Sequence, residues 1–157
     1  MNSSRRQTLQ AAGGVGLYGA LVAIGMLPAT GALAQEKFNP AAFQAKNVAD
    51  ALKALGATGS PTSGEIAIIA PDIAENGAVV PVGIKSNLPK TEFMALLVEK
   101  NPAPLAGAYD ILPGAHAEVN MRIKMGQSSD VYAVVRADGK YHVAKKEIKV
   151  TLGGCGG

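Results

Sequence analysis

The sequence contains no tryptophan, a single cysteine, two histidines, and only three phenylalanines and four tyrosines among 157 residues. One cysteine excludes an intrachain disulfide. The missing tryptophan and cysteine pair exclude an antibody-type domain, whose core is built on both. His116 and His142 stand alone, with no cysteine or carboxylate cluster at metal-ligand spacing. They therefore read as solvated or hydrogen-bonded side chains rather than as a zinc site. GxSxG, Walker and dinucleotide fingerprints are absent, so nothing marks a serine hydrolase or a nucleotide-binding protein. Asp72 and Glu75 flank a turn, a commonplace for acidic residues, and Met94, Met121 and Met125 read as fillers of an apolar core. Internal repeats and low-complexity tracts are also missing.

Charge is missing in one place above all. From Gln7 to Gln35 there is no Asp, Glu, Lys or Arg. Arg5 and Arg6 precede this stretch, and Ala32-Leu33-Ala34 follows Pro28 at its end. A charged start, an apolar middle and an A-x-A ending make a secretory signal over residues 1–34. The paired arginines point to the twin-arginine route and hence to the periplasm. The alternative is an uncleaved membrane anchor, since the stretch exceeds the ~20 residues that span a bilayer. Gly13, Gly14, Gly16, Gly19 and Gly25 dilute its hydrophobicity, and with the A-x-A ending they favour cleavage and no lasting membrane association. The mature chain from Gln35 then carries 13 basic and 12 acidic residues, a net charge of +1. So balanced a chain has no electrostatic reason to bind nucleic acid. Its length suits one domain with one core.

The mature chain opens with Asn39-Pro40, a cap residue followed by proline at the first helical position. Ala41, Ala45, Val48, Leu52 and Leu55 recur at helical spacing up to Gly56, which predicts one amphipathic helix of about four turns. A Gly/Ser/Thr/Pro loop covers residues 56–64. Strands are then expected over residues 65–70 and 78–86, joined by a hairpin turn at Glu75-Asn76-Gly77. Pro81 argues that the second of these is an edge strand or carries a bulge. Further strands are expected over 92–99, 109–112, 118–125, 130–137 and 140–151, with Asp138-Gly139 as a two-residue hairpin turn. The 92–99 run is apolar from Phe93 to Val98 between two glutamates and ambiguous by periodicity; its length favours a strand. Six or seven short strands at this spacing predict a mainly β fold, an immunoglobulin-like antiparallel β-sandwich over residues 35–152 with a leading helix.

The last strand runs directly into Gly153-Gly154-Cys155-Gly156-Gly157. Glycine gives neighbours nothing to pack against, so residues 153–157 read as a flexible arm. Three residues from Leu152 to Cys155 reach at most ~10 Å. Gly153, Gly154, Gly156 and Gly157 keep the arm thin enough to enter a narrow active site. An unpaired thiol in an exported protein points to intermolecular pairing or to a reactive role. With an ordinary thiol pKa near 8.5 and no activating neighbour in sequence, such a thiol suits a covalent carrier served by visiting enzymes, as lipoamide and biotin arms are. It suits an independent catalyst less well.

GGCGG, together with Ile73-Ala74-Glu75-Asn76-Gly77-Ala78-Val79-Val80-Pro81-Val82, Glu99-Lys100-Asn101-Pro102 and Val150-Thr151-Leu152, resembles the SoxY family, the sulfur-carrier subunits of the bacterial Sox thiosulfate-oxidation system. The resemblance covers most of the mature chain. It implies that Cys155 is the site of sulfur attachment, that the protein is not itself an enzyme, and that it holds no cofactor. A c-type haem enzyme would conjugate thiosulfate to Cys155, a hydrolase would release sulfate, and a sulfane dehydrogenase would oxidise the remaining sulfur. The resemblance also implies a heterodimer with a SoxZ-like β-sandwich subunit.

Two other classes fit the thiol. An exported thiol-dependent sulfurtransferase or redox protein would use Cys155 as nucleophile, but the sequence shows no base and no resolving cysteine. A structural adaptor would use the tail only to link chains by disulfide.

Overall fold

The computed structural model describes residues 39–151. The expected leader (1–34) and the expected arm (153–157) lie outside the described residues. Two short helices, α1 (Pro40–Gln44) and α2 (Val48–Leu55), precede eight strands: β1 (Ile66–Ile69), β2 (Ile73–Ala74), β3 (Val80–Ser86), β4 (Thr91–Val98), β5 (Leu105–Asp110), β6 (Glu118–Ile123), β7 (Ser129–Ala137) and β8 (Lys140–Val150).

The single leading helix is corrected to two. Asn47 is extended and its side chain accepts the Asp50 amide, so it caps a new helix where the apolar stripe alone suggested continuity. Asn39 caps the first helix in the same way, through the Ala42 amide. An asparagine at a cap satisfies one of the orphan amides of a helix start. The break also shifts the buried face: Ala42 and Ala51 are buried and Ala41 is exposed. Gly56 ends α2 in the left-handed region at φ 78°, as a C-cap glycine should.

The strands form two sheets, ordered β1-β3-β6 and β2-β8-β7-β4-β5. Between them lies a core of Ile66, Val82, Ile84, Met94, Leu96, Val98, Val131, Val135, Met125 and Ile148, with Met121 packed at its margin. The opposite face of the larger sheet carries Ala95, Leu97, Leu105 and Val134, and the two helices cover it with Ala42, Ala45 and Ala51. Residues 39–151 are thus layered as sheet, sheet, helices. The β4 run reads without alternation because both of its faces are buried, whereas β6, with one face in solvent, alternates.

Antiparallel pairing dominates, as expected of a β-sandwich. The β7–β8 hairpin closes on Asp138-Gly139, both at positive φ (49° and 73°), with Ala137 opposite Lys140. That is the twist-matched two-residue turn expected at Asp-Gly. The Asn76-Gly77 turn is a correction. β1 and β3 do pair antiparallel, Ile66 opposite Ser86, but the chain between them detours through β2, which pairs parallel with β8 in the other sheet. Gly77 is not at positive φ. It is a glycine because a Cβ there would lie 2.3 Å from the Met125 carbonyl oxygen.

Pro81 sits on the middle strand of its sheet, opposite Arg122 of β6. Pairing with β1 reaches only Gly83, so the strand is an edge locally at Pro81, and the missing N–H leaves no ladder bond unmade.

Candidate functional site

The expected attachment residue, Cys155, and its flanking Gly153, Gly154, Gly156 and Gly157 lie outside the described residues. What the fold positions is the root from which they continue, the end of β8. β8 runs two residues past its partner: the last β7–β8 pair is Ser129 with Ile148. Beyond it, the Val150 amide donates to the Ser128 hydroxyl at 2.9 Å. On the other side β2 takes over, with Ile73 opposite Lys149 and Ala74 opposite Val150. The Lys149 amide donates to the Asp72 carbonyl at 2.9 Å, and the Thr151 amide to the Ala74 carbonyl at 3.1 Å.

The stretches quoted above for the family resemblance converge here. Residues 73–77 supply β2 and Gly77, whose carbonyl accepts the Met125 amide at 2.7 Å. Asn101 reaches the Lys124 carbonyl with its side-chain amide at 2.8 Å. The Lys100 amide donates to the Ser129 hydroxyl at 3.1 Å, and Ser129 is buried. A continuous set of hydrogen bonds therefore joins residues 73–77, 100–101, 124–129 and 149–151 at one end of the sandwich. Reading the sequence alone missed β2, Ser128 and the packing role of Gly77. Gly77 carried the one available signal, but a close backbone approach is invisible in a dipeptide that also reads as a turn.

On the helix-side face of the same sheet, β7 and β8 bring together Asp130, Tyr132 and Lys145. Lys145 Nζ lies 3.0 Å from the Asp130 carboxylate and 6.0 Å from the Tyr132 ring centroid. Burial, followed by the negative charge of Glu99, holds the Tyr132 phenol above its ordinary pKa. The hydrogen bond to Asp130 likewise raises the Lys145 ammonium. Both groups hold their proton more tightly in the folded state. Their stabilising effect is complete below about pH 10, the unfolded range for these side chains, and is lost as pH rises through the folded values. Urea midpoints are expected to fall above about pH 10, and Tyr132→Phe to abolish part of that fall. In an ultraviolet titration of the folded protein, the same substitution should remove the late-ionising phenol. A pH profile unchanged by Tyr132→Phe would contradict this.

His142 pairs with Val135 along β8 and His116 is exposed in the β5–β6 loop, so the structure does not bring them together. Among the described residues no three His, Cys, Asp or Glu side chains are grouped to hold a metal ion. No described helix is long and apolar enough to cross a membrane. Asp72 pairs with Lys146 at 3.0 Å, an ion pair that braces the segment leading into β2.

Comparison with known proteins agrees with this geometry. The family model described as "Sulfur oxidation protein SoxY" matches residues 52–155. Among solved structures, the sulfur carrier protein SoxY from Chlorobium limicola f thiosulfatophilum is 36% identical, with a TM-score of 0.62 over 69% of this chain and 96% of that one. Superoxide reductase (neelaredoxin) from Ignicoccus hospitalis is 21% identical, with a TM-score of 0.50 over 55% of this chain and 80% of that one. That likeness is one of fold alone. No curated protein matches the chain. A family match that spans the sandwich and its root, joined to a solved relative of the same layered fold, places this chain in the SoxY family of sulfur oxidation proteins.

Proposed function

We propose that this protein is a covalent carrier in sulfur oxidation, with Cys155 as the point of attachment and residues 153–157 as the arm that presents it. The observation that carries the reading is that the family match extends through residue 155, the cysteine itself. The structure adds support in its described part: a sandwich held by hydrogen bonds up to Thr151, four residues before Cys155.

In this scheme the Cys155 thiol and thiosulfate are joined as Cys-S-S-SO₃⁻. The thiol proton is released, and two electrons pass to a c-type haem enzyme. Water then cleaves the S–SO₃ bond, giving sulfate and a persulfide on Cys155. A sulfane dehydrogenase oxidises the terminal sulfur to a sulfonate, with oxygen from three waters and six electrons passing to that enzyme's acceptor, and a last hydrolysis releases it as sulfate and returns the thiol. Each intermediate remains bonded to the carrier, so reactive sulfur is not lost between enzymes. The protein acts without a cofactor of its own, pairs with a SoxZ-like subunit, and is exported to the periplasm by the twin-arginine route with residues 1–34 removed.

Intact-mass measurement on the protein co-purified from thiosulfate-grown cells tests the reading. Thiosulfonate and persulfide adducts mapping to Cys155 are expected, on a chain lacking the leader and bound to a second small subunit. A mature chain that keeps its unmodified mass throughout thiosulfate turnover would sink the proposal.

A further inference from the structure

We infer that Ser128 and β2 form a positioning clamp on the root of the arm, one that sets how much chain is free to carry Cys155. The inference rests on the carrier reading for its purpose, but its geometry lies wholly within the described residues. β8 has eleven residues and its hairpin partner β7 nine. After Ile148 the ladder with β7 is finished, and a strand end that outruns its neighbour ordinarily frays. Here it is held on both sides. Ser128 replaces the missing β7 partner, accepting the Val150 amide at 2.9 Å while its own oxygen lies 3.5 Å from the Val150 carbonyl. β2 pairs with Lys149 and Val150 alone, and the Thr151 amide and hydroxyl both reach the Ala74 carbonyl, at 3.1 and 3.5 Å.

The two-residue strand is itself braced. Lys146 donates to the Ala70 carbonyl at 2.6 Å and lies 3.0 Å from the Asp72 carboxylate. Gly77 brings the next turn against Met125 and within 2.9 Å of Val150 Cγ1, measured from where a Cβ would stand. Among the described strands β2 is the one that pairs parallel, and its pairing falls only where β8 would otherwise end unsupported, well away from the isolated parallel bridge of Thr62 to Val143. Clamped at Thr151, Cys155 hangs on four residues, a reach of about 13–14 Å. Released from Ile148, it would hang on seven, or about 23–25 Å. The local concentration of a tethered group falls roughly as the −3/2 power of tether length, so release would cost about two-fold in presentation to a docked enzyme.

Hydrogen exchange on the mature full-length chain reads the clamp without reference to any adduct. Ser128→Ala is expected to accelerate exchange of the Val150 amide on the order of ten-fold, the loss of one hydrogen bond. Val131–Val135 should stay protected, and Ser128→Thr should restore Val150. Lys146→Met attacks the other side and should accelerate Lys149 and Thr151 but not Val150. In cells given thiosulfate, Ser128→Ala combined with Lys146→Met, which removes both sides of the clamp, should load Cys155 about two-fold more slowly, while alkylation by iodoacetamide keeps its wild-type rate. Unchanged Val150 exchange in Ser128→Ala, equal acceleration throughout β7, or wild-type loading by the double variant with Lys149, Val150 and Thr151 all freed would each overturn the clamp. Absence of any adduct on the wild-type chain would instead be a failure of the carrier reading, recognisable because the exchange pattern is measured independently.

Discussion

Cys155→Ser is expected to remove every thiosulfate-dependent adduct from the protein and to stop thiosulfate oxidation by cells that depend on it, while leaving stability within about 0.5 kcal/mol of wild type, as for surface substitutions generally. The loss should be total rather than graded. A serine hydroxyl cannot form the S–S bond on which each later step acts, and the sequence offers no second thiol to replace it. Stability should not move because every core contact and hydrogen bond among the described residues, up to the Thr151 amide on the Ala74 carbonyl, is made without Cys155. The same variant separates the competing classes. A structural adaptor would lose its disulfide link but keep its non-covalent partner binding after losing the thiol. A thiol-dependent sulfurtransferase would lose function too, but its wild-type form would turn over thiosulfate in isolation, which a carrier does not. Persistence of adducts on the serine variant would place the attachment elsewhere and overturn the assignment of Cys155.

The second large effect is on the fold. Leu96→Ala and Leu97→Ala are each expected to cost about 2–5 kcal/mol, the range for deleting a fully buried leucine side chain. In a domain of this size that is a large part of total stability. The two residues are neighbours on β4 and both fully buried, yet they point into different cores: Leu96 between the sheets, Leu97 under the helices. Urea unfolding gives the cost, and hydrogen exchange shows where it falls. Leu97→Ala should loosen α1 and α2 before the sandwich opens, whereas Leu96→Ala should weaken β3 and β7 first. If both variants lost less than about 1 kcal/mol, or lost protection in the same segments, the two-sided burial of β4 would be wrong.

Legibility in the sequence followed the range of the interactions. Strands with one wet face, such as β6, and the Asp138-Gly139 turn were readable because period and turn chemistry are local. The 92–99 run was readable only as apolar, since burial on both faces erases alternation. The helix break at Ala45–Asn47 was missed because the stripe continued through it while Asn47 capped a second helix. β2 was missed because two residues carry no period, and its partner lies more than seventy residues away at Lys149 and Val150.

The order of residues is enough to read one thiol between two glycine pairs, the lack of a metal-ligand or hydrolase motif, and a chain patterned as short strands. These follow from residue identity, which needs no neighbour in space to be read. Folding built the end of β8 from which those residues continue. It brought Gly77, Asn101, Ser128 and Val150 from four separate stretches to one end of the sandwich, and it placed a glycine where the Met125 carbonyl allows no Cβ. Hydrogen bonds and close packing act over about 3 Å and are indifferent to separation along the chain, so the root of the arm existed only after folding.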